Sequence, residues 1–219
     1  MKKTYAAVSI ILLIVFIGFT ISVKFIDVQS IGPNGSEVGF ATLNSAVKKL
    51  IGTNEIADSV SDICITIAIG VAGFFALTGL IQLLKRKSFL KVDFYLYALA
   101  AFYIAVAIIY FFFMFFAINY RPVLDNNELE ASYPSSHVLV TVGILMTALL
   151  QVRERIKNKT LKAGLQIGCV VISVLLVIVK LLAGVHWFTD IIGGILCAAM
   201  LISAYRLLNE YIREYQNKL

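Results

Sequence analysis

Six apolar runs, each near the length of a bilayer crossing, dominate what this chain can fold into. A hydrocarbon core about 30 Å thick is crossed by roughly 20 residues of α-helix at about 1.5 Å per residue. Such runs occur at about 5–23, 63–84, 94–118, 133–152, 163–183 and 187–205, and only 15% of the 219 residues are charged against 60% hydrophobic. The charges cluster between the runs. That pattern excludes a soluble enzyme, a disordered chain and a nucleic-acid binder, in spite of a net charge of +6. Lys2 and Lys3 ahead of the first run give it the look of a signal peptide. Its apolar stretch is too long for one, however, and no A-x-A-like site follows, so it reads as a membrane helix. Cys64, Cys169 and Cys197 all lie inside apolar runs and are odd in number, which points to core filling rather than a disulfide framework. The expectation is an all-α polytopic membrane protein: one domain over 1–219, with six transmembrane helices.

With six spans, both termini and the even-numbered connections share a face. That face carries fourteen cations against four acids, and the opposite face five cations (Lys24, Lys48, Lys49, Arg121, Lys180) against nine acids. The positive-inside rule therefore makes the termini cytoplasmic. Between the first two spans lies an outer segment of about 40 residues, long for a tether. The sequence IGPNGS at 31–36 is a turn cluster. Beyond it Phe40, Leu43, Val47, Leu50 and Ile51 recur at helical spacing opposite Asn44, Lys48 and Lys49. This predicts an amphipathic helix on the outer face, either lining a lipid entrance or capping the bundle.

The two histidines and three prolines are informative by their rarity. His137 and His186 both fall at outer ends of spans, and Pro122 and Pro134 flank the loop from Arg121 to His137. Pro134-Ser135-Ser136-His137 ahead of an apolar run has the residues of a helix start. Such a start either caps the helix and does nothing more, or offers free N–H groups, the positive end of the helix dipole and two hydroxyls to an anion. His186 and Asp190, spaced i, i+4, share a helical face. Either the carboxylate accepts a hydrogen bond from one ring nitrogen and leaves the other free as nucleophile or base, or Asp190 simply caps the sixth helix beside an interfacial His and Trp187. Arg121 and Lys180 have a plain explanation in snorkelling to the interface. Lys180 nevertheless lies roughly 26 Å along its run and still within apolar neighbours, where a charge costs up to roughly 3 kcal/mol unless an anion answers it.

Two histidines alone also suit a bis-His haem, but that leaves Arg121, Lys180 and the Pro-Ser-Ser-His start without a role. A metal lacks third and fourth ligands at a recognisable spacing. Asp125, Glu128 and Glu130 make the outer loop acidic and read as a solvated segment.

These residues resemble the three motifs of the type 2 phosphatidic acid phosphatase superfamily, the integral-membrane lipid phosphate phosphatases. The first motif is matched by Met114 … Arg121-Pro122, the second by Pro134-Ser135-Ser136-His137 and the third by Lys180 … His186 … Asp190. The resemblance implies His186 as the nucleophile that forms a phosphohistidine, Asp190 as its orienting partner and His137 as general acid. It makes Arg121, Ser135, Ser136 and Lys180 the phosphate ligands, and it implies no metal and no cofactor. Three positions depart from the family pattern: Met114 replaces a Lys, Ser136 a Gly, and Lys180 an Arg whose planar fork grips two oxygens where a Lys cannot. The expected function is hydrolysis of a lipid phosphomonoester or diphosphate at the outer face of the cell membrane, with isoprenyl diphosphate, phosphatidylglycerophosphate and phosphatidate as candidate substrates. A phosphotransferase on the same scaffold and a non-catalytic lipid-phosphate binding or transport protein are the alternatives.

Overall fold

A computed structural model describes residues 2–124 and 127–216. Seven α-helices run in chain order: α1 Lys2–Phe25, α2 Ala41–Ile51, α3 Glu55–Arg86, α4 Phe94–Phe115, α5 Ser136–Arg155, α6 Lys159–Ala183 and α7 Phe188–Gln216. All but α2 are long and apolar enough to cross a membrane. The chain is thus the expected six-span, all-helical membrane protein.

Local sequence explains the helix ends. Asn54, Asp93 and Asn158 each accept a first-turn backbone N–H, which starts α3, α4 and α6. Gly184 ends α6 at φ +66°, a conformation that costs a glycine little, and an added Cβ would stand 2.0 Å from the Gly52 carbonyl oxygen. The sixth span runs on to Gln216 instead of ending near 205, and two helix starts that bear on the site also differ from the sequence expectation. The second span starts at Glu55 instead of about 63, which brings Asp58 and Asp62 into its first turns; the fourth starts at Ser136, after the Tyr133–Pro134 pair.

The bundle is arranged around α5. Half of its most apolar stretch is buried, against 11% for α1, and it packs on α3, α4, α6 and α7 while α1 lies along α7. Phe16, Leu99, Phe102, Tyr133, Leu139 and Cys197 belong to the shared core. Gly193 of α7 gives the Tyr133 ring its place, since a Cβ there would stand 2.4 Å from the ring. Large apolar side chains on α1, α3, α4 and α6 point outward, as surface solvated by lipid tails requires.

The amphipathic helix forms as expected, as α2, but its polar side turns inward. Asn44 is buried and Leu43 and Leu50 are exposed. Asn44 Nδ2 donates to Thr189 Oγ1 at 2.9 Å and to the Gly39 carbonyl at 2.8 Å, and Asn44 Oδ1 accepts from the Thr189 N–H at 3.2 Å. Lys48 Nζ donates to the Gly184 carbonyl at 2.7 Å. The helix caps the bundle by gripping the start of α7 and the loop before it.

Candidate functional site

The loop between α6 and α7 carries His186, and its backbone is tied down on every side. The Trp187 N–H donates to Asp190 Oδ2 at 2.9 Å, Trp187 Nε1 donates to the Tyr120 carbonyl at 2.7 Å, and α2 bonds to Gly184 and Thr189 from above. His186 itself is buried, and neither ring nitrogen has a hydrogen-bond partner among the described residues. The expected bond to Asp190 is not made. His186 Nδ1 and Asp190 Oδ2 stand 3.7 Å apart, beyond hydrogen-bond range. Asp190 is held by Asn119 Nδ2, at 3.2 Å to Oδ1, and by the Trp187 N–H. Burial pushes the His186 imidazole below its ordinary value of 6.5; the Asp190 carboxylate opposes this, and the Arg121 and Lys180 charges push further down. The ring is therefore neutral near pH 7, the state a nucleophile needs.

The start of α5 is joined to this loop through the backbone: the Ser135 N–H donates to the Asp190 carbonyl at 2.9 Å. Ser135 occupies the cap position, but its side chain makes no cap bond, and its buried Oγ has no partner. The hydroxyl is left available, together with first-turn N–H groups that have no carbonyl within the helix to bond. A cleft of about 270 Å³ opens here, lined by Arg121, Ser136, His137, Tyr133, Glu130 and Met114. Arg121 Nε is buried without a partner, while Nη2 pairs with Glu130 at 3.2 Å. Glu130 is thus an ion-pair partner rather than a purely solvated loop residue, and Asp125 lies outside the described residues. The 45%-exposed Met114 brings no donor to the cleft.

Three residues of α3 enter the site without having been singled out in the sequence. Lys180 is almost completely buried, and its Nζ donates to Asp58 Oδ1 at 2.7 Å and to Ser61 Oγ at 3.1 Å. His137 Nε2 lies 3.0 Å from Asp62 Oδ1, while its Nδ1 is buried and unpartnered. A signal for them exists in the sequence: Asp58, Ser61 and Asp62 are spaced for one helical face, and a lysine at bilayer depth calls for an anion. Arg121, Ser136 and His137 therefore share one cleft, with Ser135 joined to Asp190 and its neighbour His186. Lys180 has its charge answered by the protein itself.

The model of the PAP2 superfamily matches residues 112–213, which include every one of the sequence-derived site residues. Over these residues, just under half of the chain, the sequence is similar to the PAP2 superfamily. No curated protein matches the sequence. Among solved structures, the chain resembles that of the first transmembrane PAP2-type phosphatidylglycerolphosphate phosphatase from Bacillus subtilis. The TM-score is 0.62 at 18% identity, over 94% of this chain and 97% of that one. At that identity the likeness speaks for the fold, which the two chains share over nearly their whole length. Within the matched segment the parts with available polar atoms are Arg121, the α5 start and the two histidines, grouped where helix ends rather than helix faces meet.

Proposed function

We propose that this protein is a lipid phosphatase that releases phosphate from a lipid phosphomonoester or diphosphate at the outer face of the cell membrane, working as a single six-helix domain with cytoplasmic termini. The observation that carries the reading is the grouping of buried, unpartnered polar atoms, Arg121 Nε, Ser135 Oγ and both His186 nitrogens, around a helix N-terminus. Buried polar groups without partners are uncommon and costly; an anionic phosphoryl group would accept from Arg121 and Ser135 while the unprotonated His186 nitrogen faces phosphorus.

In this mechanism His186 Nε2 attacks phosphorus, the phosphorus–oxygen bond to the lipid breaks, and His137 donates its proton to the departing oxygen. Water then attacks the phosphohistidine with His137 taking its proton, and phosphate leaves as His186 regains its lone pair. Arg121, Ser135, Ser136 and the first-turn N–H groups of α5 stabilise the charge on the phosphoryl oxygens. Asp190 moves roughly 0.8 Å nearer His186 to make a full hydrogen bond as positive charge develops on the ring, a tightening common when a substrate binds. Asp62 accepts from the His137 Nε2–H, so the transferred proton sits on Nδ1 of the His137 imidazolium, which becomes neutral on giving it up and regains it from water. No step needs a metal. The chain is similar to a phosphatidylglycerolphosphate phosphatase, which supports testing that lipid alongside isoprenyl diphosphate and phosphatidate.

The test is phosphate release by detergent-purified protein from those three lipids without added metal. His186→Ala is expected to abolish release, and His137→Ala to lower it by roughly 10²- to 10⁴-fold, the scale of a lost general acid. Wild-type activity in His186→Ala would overturn the reading. One observation favours a second reading, lipid-phosphate binding without turnover: Met114 contributes no charge and Lys180 is already answered by Asp58. That reading predicts binding of all three lipids, no release, and no effect of His186→Ala on the protein's biological role.

A further inference from the structure

On the face opposite the candidate site, a polar cleft of about 390 Å³ is lined by Tyr5, Arg153, Glu154, Arg206, Asn209 and Arg213, with Glu210 beside them. Arg213 pairs with both Glu154 and Glu210. Among the described residues Arg153 and Arg206 make no ion pair within 4 Å, and the three arginines outnumber the two glutamates that line the cleft. Asn209 is 8% exposed, and its Oδ1 has no donor among the described residues.

This cleft continues into an apolar groove of about 430 Å³ between α1, α5 and α7, and Tyr5 and Arg206 line both spaces. Val8, Leu12, Val142, Met146, Ile195 and Ile202 form its walls. Arg206 lies roughly 27 Å along α7 from Phe188, at the membrane boundary away from His186. From Arg206 the groove reaches Ile195, roughly 16 Å toward the bilayer centre. A cationic head region at the boundary, followed by an apolar channel along the bilayer normal, has the charge and shape of a phospholipid.

We propose that cleft and groove together bind one anionic phospholipid from the leaflet on the side of the chain termini. Its phosphate rests on Arg153 and Arg206, one acyl chain fills the groove, and Asn209 Oδ1 accepts from a headgroup hydroxyl. Basic clefts between transmembrane helices recognise anionic headgroups by this combination of charge and depth. The site is separate from the outer cleft and independent of any turnover there.

Native mass spectrometry of the purified full chain, titrated with phosphatidylglycerol or with phosphatidylcholine of the same acyl chains, tests it. One tightly held phosphatidylglycerol per chain is expected, with phosphatidylcholine lost at the same activation energy. Arg153→Gln with Arg206→Gln weakens binding about thirtyfold, the scale of two cationic contacts. Arg153→Lys with Arg206→Lys stays within a few-fold of wild type, which separates lost recognition from misfolding. Ala199→Phe keeps every charge but fills the groove, and it also removes the tight lipid. Equal retention of the two lipids, unchanged binding in the double Gln variant, or unchanged binding in Ala199→Phe would each overturn the proposal.

Discussion

Asp62 is the side chain through which α3 acts on the proposed chemistry, because its carboxylate meets His137 Nε2 at 3.0 Å. A carboxylate behind an imidazole fixes which nitrogen faces the substrate. Asp62→Asn is therefore expected to lower kcat for an alkyl lipid phosphate by roughly 10- to 100-fold, with little change in KM. An aryl phosphate, whose leaving group departs without a proton, should be nearly unaffected. A merely structural residue would depress both substrates alike, and rescue by Asp62→Glu for the alkyl substrate completes the test. His186 carries a second expectation. Its imidazole is held below 6.5 by burial, so it stays neutral as the pH falls past the point where a free histidine protonates. The acid limb of kcat/KM should accordingly lie below pH 6.5. Asp190→Asn, which removes the opposing carboxylate, should move that limb lower still, and a pH–rate profile of the two proteins decides it.

The element that most constrains the His186 loop is α2. Its amide and ammonium groups reach down to the loop, and a small gap between Asn44, Lys48 and His186 marks where it roofs the histidine. Burial pushes the Lys48 amine below its ordinary value, yet it remains a donor to the Gly184 and Gly52 carbonyls at 2.7 and 3.0 Å. Removing the Asn44 side chain leaves the Thr189 N–H and hydroxyl and the Gly39 carbonyl short of partners in a buried place, at a cost of about 1–3 kcal/mol. Asn44→Ala should lower the unfolding temperature in detergent and reduce activity with it. Leu43→Ala, on the exposed side of the same helix, should change neither. The amphipathic pattern of α2 was legible in the sequence, but its orientation was not: in a membrane protein an apolar side is as well placed against lipid as against the bundle.

For the whole molecule the charge asymmetry makes a topological prediction. Leu50 is 87% exposed on the face of the candidate site, and Lys87 is exposed at the opposite end of α3. In intact cells, Leu50→Cys should react with a membrane-impermeant thiol reagent, and Lys87→Cys only after permeabilisation. The reverse pattern would turn the proposed site toward the cytoplasm. On the Lys87 side the cations are not a bare array: Arg155 pairs with Asp93, Arg213 with Glu154, and Lys2 with Glu214. They fasten helix ends together while still biasing the orientation.

The sequence by itself determined six spans, a charge bias between their two ends and the identity of Arg121, Ser135, Ser136, His137, Lys180, His186 and Asp190 as the chemically unusual residues. Length of an apolar run, charge per connection and rarity of a residue type are properties of the linear chain. Only the tertiary structure decided which of these residues are free. It set Lys180 against Asp58 across 122 residues, His137 against Asp62 across 75 and Asn44 against Thr189 across 145, and it gave Asp190 to Asn119 and Trp187 instead of His186. The physical reason is that a lipid-facing helix carries little record of its rotation: its apolar surface extends round most of its circumference, so side-chain packing between spans fixes which polar groups meet.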